Sequence, residues 1–99
     1  MVKFNYRPLP ENLIIKESDI EGHGIHANQD IGAAVNLGKT HFKHAGSWIR
    51  TPLGGFINHS DNPNCVIITF INGTEKEIWT VRPISSSEEL TVYYTLGQE

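Results

Sequence analysis

The sequence predicts a mostly β domain of short strands and long turns. Three observations carry that expectation. β-Branched residues run along the whole chain and favour strands. No window sustains the 3.6-residue apolar period of an amphipathic helix. Two alternating stretches, Cys65 to Ile71 and Lys76 to Val81, are joined by Asn72-Gly73, a pair suited to the positive φ of a hairpin turn.

In chain order, Leu13 to Ile15, flanked by Asn12 and Lys16, predicts a first strand. Ser18 to Gly22 reads as a polar turn, and Gly24 to Ala27 restarts an extended segment. Ile31-Gly32 predicts another turn, and Val35 to Leu37 a third strand. Lys39 to Gly55 holds Phe42, Trp48, His41 and His44 and shows no clear period. The hairpin follows, with Val66, Ile68 and Phe70 on one face and Ile68, Phe70 and Trp79 expected in the core. Pro83 ends its second strand because it cannot donate to a ladder. Leu90 to Tyr93 is the last β-rich stretch.

Ninety-nine residues predict one domain over 1–99 and exclude a two-domain enzyme. A formal charge of −3 argues against a dedicated nucleic-acid binder. Acids concentrate after His59, which predicts a solvated acidic surface or a basic partner. The single cysteine, Cys65, excludes a disulfide framework and a Cys-rich zinc knuckle. Met1 to Pro10 holds no apolar signal region, and the run from Val66 to Ile71 is too short to span a bilayer. The expectation is a cytoplasmic protein without membrane or nucleic-acid partners, and the sequons at Asn58 and Asn72 read as chance.

Three segments can carry chemistry. Gly22-His23-Gly24 lets backbone approach a ligand closely, although a G-x-G is often only a turn. It lacks the third glycine and the helix of a dinucleotide fingerprint. Asn58 to Asn64, pinned by Pro63, is dense in polar side chains that can equally cap their own turns. In Ser87 to Tyr94, adjacent Glu88 and Glu89 point to opposite faces if extended, so they are no glycosidase-type acid pair. The same alternation separates Tyr93 from Tyr94 and disfavours a Ser60–His59 nucleophile pair. His23 with His26, and His41 with His44, have ligand-like spacing, but in strands such pairs do not converge, and no metal is expected.

In this order, the three segments resemble the SET-domain protein lysine methyltransferases, whose members carry a G-x-G turn, an N-H-S-x-x-P-N segment and a G-E-E-L-T-x-D-Y segment. The resemblance covers about residues 13–94 and includes Arg82-Pro83-Ile84 leading into the last motif. It implies small sheets with a pseudoknot-like threaded C-terminal segment. It implies S-adenosylmethionine as cofactor, lined by Gly22, His23 and Gly24, with Asn58 at its amino end, His59 at its adenine and Tyr94 also in contact. Tyr94 would be the catalytic tyrosine, and His41, Ile67 and Val92 would lie towards the lysine channel. The partner implied is a lysine-bearing protein or peptide, with a homodimer possible. Ser87 replaces the family glycine and Tyr93 the aspartate. The Cys-rich flanks are absent, so the chain resembles minimal stand-alone members of viruses and bacteria, in a host cell if viral. The alternative is a binding module that keeps the fold and has lost turnover.

Overall fold

The computed structural model describes residues 9–70 and 72–93. In chain order the elements are β1 (Leu13–Glu17), β2 (His23–Ala27), β3 (Asn36–His44), β4 (Ser47–Arg50), α1 (Pro52–Gly55), β5 (Asn58–His59), β6 (Cys65–Thr69), β7 (Glu75–Thr80) and β8 (Thr91–Val92). They form three small sheets: an antiparallel β1–β2 pair, a four-stranded antiparallel sheet in the order β4-β3-β7-β6, and a parallel β5–β8 pair. The fold is mostly β, as the sequence predicts. Among the described residues no helix is long and apolar enough to cross a membrane.

The turn between β1 and β2 closes where Ser18 N donates to Gly22 O at 2.9 Å. Gly22 supplies the positive φ of 51°. Asn72-Gly73 joins β6 to β7 as predicted, with Gly73 at φ 70°. The stretch from Lys39, which shows no clear period, becomes the β3–β4 hairpin, so the third strand starts at Asn36 and runs to His44 instead of ending at Leu37. Pairing with β7 fixes that strand, with register shifts after Asn36 and Lys39.

A single helical turn, α1, interrupts the β structure. Thr51 caps it by accepting from Gly54 N at 3.3 Å, and Pro52 opens it. Four residues are too few to show a period. Gly54 is buried against Thr40, whose carbonyl a Cβ there would overlap.

The core forms around Ile25, Ile78, Ile84, Leu90 and Val92, all at most 2% exposed. Ile68 is not part of it. Val66 and Ile68 are 41% and 45% exposed, and Phe70 and Trp79 are half-buried. The alternate face of β6 turns inward, with Cys65 buried and Ile67 packed on the core. Both faces of this strand are apolar, so alternation defined two faces without choosing between them.

Candidate functional site

The three motif segments meet at the Glu89 carboxylate. Glu88 and Glu89 project to opposite sides, as extended backbone requires. Glu88 turns to Arg82 Nη2 at 2.6 Å and Asn64 Nδ2 at 3.2 Å. The Arg82 guanidinium holds the Glu88 carboxyl below the usual carboxylate range. Glu89 turns the other way, to the β1–β2 turn. There Ser18 Oγ donates to its two carboxylate oxygens at 2.7 and 2.8 Å. Asn58 Nδ2 donates to Glu89 Oε2 at 2.8 Å. His26 Nε2 stands 4.0 Å from Oε1.

Gly24 is buried directly beneath this carboxylate. A Cβ there would overlap Glu89 Oε2 and lie 3.2 Å from Asn58 Nδ2. The second glycine of the G-x-G is therefore a close-approach glycine, while Gly22 serves the turn. His23 is exposed at the start of β2.

Asn58 is oriented by its neighbours. Its Nδ2 lies near three acceptors: Glu89 Oε2, Ser18 Oγ at 3.0 Å and Glu21 O at 3.1 Å. These fix the amide nitrogen on their side and leave Oδ1 pointing away, and no described group donates to it. Asn58 and His59 pair in parallel with Thr91 and Val92. Asn64 fastens the same junction: its Nδ2 donates to Glu89 O and its Oδ1 accepts from Thr91 N, both at 2.8 Å. The polar second motif thus bonds across the fold as well as within its own turns. His59 Nε2 lies 3.0 Å from Asp61 Oδ1, and its ring sits 4.9 Å from that of Tyr93.

The junction gathers Gly24, Asn58 and the backbone of His59, with Gly22 in the adjoining turn. Val92 is buried beside it on β8, and Ile67 packs against the same core from β6. His41 stands elsewhere, on the hairpin face beside Trp48, and no described hydrogen bond or ring contact links it to Asn58, Glu89 or Val92. Burial, with Lys76 and Arg50 adding repulsion, lowers its pKa. Tyr94, the expected catalytic tyrosine, lies outside the described residues. Among the described residues no three His, Cys, Asp or Glu side chains gather to hold a metal.

Sequence reading missed Ser18 and Glu89 as site residues. Ser18 was hidden in an ordinary polar turn, and the alternation of Glu88 and Glu89 was the one signal that separated their tasks. Ser87 takes φ 75°, a left-handed conformation that suits the glycine it replaces.

Comparison with known proteins bears on the fold and the family. Curated proteins give no match. Among solved structures, a Plasmodium falciparum protein described as a putative histone methyltransferase superposes with a TM-score of 0.73 at 15% identity, covering 91% of this chain and 98% of that one. An inhibitor-bound humanized mutant of the Chaetomium thermophilum Polycomb Repressive Complex 2 gives 0.70 at 18% identity over 83% of this chain, which spans 14% of the chain it matches. The SET-domain family model matches residues 9–95, the stretch that carries the buried glycine, the oriented asparagine and the strand paired beside it, and the chain belongs to the SET-domain family.

Proposed function

We propose that this chain is an S-adenosylmethionine-dependent protein-lysine N-methyltransferase. The orientation of Asn58 carries the reading. With its amide nitrogen engaged by Ser18, Glu21 and Glu89, Oδ1 is left to accept from an incoming cation. An ammonium held there also stands in the field of the Glu89 carboxylate. These acceptors fit the amino end of the cofactor. Gly22, His23 and Gly24 would line it with backbone groups, and His59 would meet the adenine chiefly through its backbone. The description of the Plasmodium falciparum neighbour as a putative histone methyltransferase supports the reaction class. The parallel β5–β8 pair supports the threaded arrangement of the last segment.

Bound S-adenosylmethionine supplies a methyl group activated on a sulfonium. The chain's own residues orient and desolvate. Holding two reactants in line contributes roughly 7–11 kcal/mol to such a reaction. The substrate lysine, with a reference pKa of about 10.4, must reach the site as a neutral amine. Aliphatic walls at Ile67 and Val92 favour that form by excluding water. The Tyr94 hydroxyl would hold amine and methyl in line. Neither Ile67 nor Val92 can hydrogen-bond the amine, so a methylated lysine stays free to turn and react again, and di- or trimethyllysine is the expected product.

The test is transfer of radiolabelled methyl groups from S-adenosylmethionine to a protein extract. Wild-type chain should label protein, and Tyr94→Phe should lose most of that labelling with little change in melting temperature. Cofactor at a hundred times its Kd should add about 2.7 kcal/mol of stability. A flat melting curve at millimolar cofactor with no transfer overturns the proposal. Stabilisation without transfer would instead identify a binding module that has kept the fold.

A further inference from the structure

The hairpin holding His41 concentrates positive charge on one face. Between Asp30 and Asp61 the chain has no acidic residue, whereas Lys39, Lys43 and Arg50 all fall there. Register places Lys43 opposite Trp48, and His41 opposite Arg50 on one side and Lys76 on the other. Cross-strand partners share a face, so these five side chains lie together. Lys43 Nζ sits 5.1 Å and Lys76 Nζ 4.7 Å from the centre of the Trp48 ring. The His41 ring meets the same ring edge-on at 6.2 Å.

Among the described residues the carboxylates that flank Lys76 are on the other side. Glu75 and Glu77 flank Lys76 along β7 and alternate to the opposite face, where Glu75 holds Lys39 at 2.9 Å. Lys43 and Arg50 are exposed, and neither forms an ion pair with a described acidic residue. Burial lowers the pKa of His41 first, and Lys76 and Arg50 on this face add to the shift by opposing its protonation.

We propose that this face of the β3–β4 hairpin docks a short acidic segment of the lysine-bearing substrate, with Lys43 and Arg50 gripping its carboxylates. The identity of the partner as substrate rests on the methyl-transfer reading. Arg50 offers a planar fork that pairs with a carboxylate through two parallel bonds. Lys43 is a point charge set in place over Trp48. The cluster is too small for nucleic acid, where binding commonly draws on about 6–10 phosphate contacts. A chain of net charge −3 also repels a long polyanion beyond the patch, whereas two or three carboxylates fit within it.

The experiment uses a fluorescein-labelled peptide rich in Asp and Glu and free of lysine, titrated with the whole chain by fluorescence polarisation. It should bind, and more weakly as salt rises. The Lys43→Ala/Arg50→Ala double variant should keep its melting temperature and lose about tenfold or more in affinity, while Lys43→Arg, which keeps both charges and the Arg50 fork, should retain most of it. Equal binding of an uncharged Ser/Gly peptide, unchanged affinity in the double variant, or tighter binding of a single-stranded oligonucleotide of matching charge would each overturn the proposal. Because the peptide carries no lysine, its binding is read independently of turnover: binding by a chain that labels nothing in the protein extract would leave the docking face standing and remove the proposed reaction instead. With a lysine-bearing acidic peptide, the double variant should raise KM about tenfold and leave kcat unchanged.

Discussion

Gly24→Ala puts a methyl group where the Glu89 carboxylate now lies. The added Cβ would overlap Oε2 and stand 2.9 Å from Cδ, so the carboxylate has to leave. In leaving, it gives up the Ser18 hydroxyl and the Asn58 amide. Hydrogen bonds to a charged group contribute about 1.5–3 kcal/mol each. The Glu89 side chain is 13% exposed, so water restores only part of that. The expected net loss is about 2–3 kcal/mol, which in a domain of this size lowers Tm by about 10–20 °C. Thermal unfolding followed by circular dichroism measures it. The decisive comparison is a double-mutant cycle with Glu89→Ala. Once the carboxylate is gone the methyl has room, so Gly24→Ala should then cost under about 1 kcal/mol. Simple additivity of the two substitutions would refute the collision and the network drawn from it.

Asn64→Ala removes both bonds that tie residue 64 to the backbone at Glu89 and Thr91 and should cost about 2–4 kcal/mol in urea unfolding. Ser87→Gly relieves a left-handed backbone and should raise stability by about 1 kcal/mol, read as a higher melting temperature. His41 is held below its ordinary pKa, so below about pH 6.5 the unfolded chain binds a proton that the folded chain refuses. Its stabilising contribution is therefore complete above that pH and is lost as pH falls; His41→Gln should flatten the slope of folding stability between about pH 7 and pH 5. Burial pushes the Cys65 thiol up to about 12, so iodoacetamide at about pH 8 should leave native protein unmodified and alkylate it in denaturant.

Local chemistry made part of this molecule legible. Asn72-Gly73 and its flanking alternation specify a hairpin with no help from the rest of the chain, and the β6–β7 ladder has the expected place. The orientation of that hairpin was not legible, because Val66 and Ile68 are as apolar as Cys65 and Ile67. Sheet pairing chose the inner face. β3 escaped detection because Lys39, His41, Lys43 and His44 carry no apolar period; partners on both sides hold it in place. At the site, Gly24 and Asn58 stood out by motif. Glu89 did not, because its partners Ser18 and Asn58 are 71 and 31 residues away in sequence and meet it only in the folded chain. His41, expected towards the lysine channel, lies on a cationic face, a placement made by strand register.

The parallel pairing of β5 with β8 also bears on the order in which the molecule folds. The β1–β2, β3–β4 and β6–β7 hairpins join neighbouring segments, so each can close over a short loop. Asn58 can meet Thr91 only after the intervening chain has been laid down, and parallel strands cannot be reached through a tight turn. The loop-closure entropy of that step delays it until the hairpins offer a surface to close against. The junction at Glu89 is then a late event. Interactions that form after the transition state act mainly on the unfolding rate. A ligand seated on Asn58 would accordingly slow unfolding while leaving refolding almost untouched, so that the site acts as a latch on the finished fold.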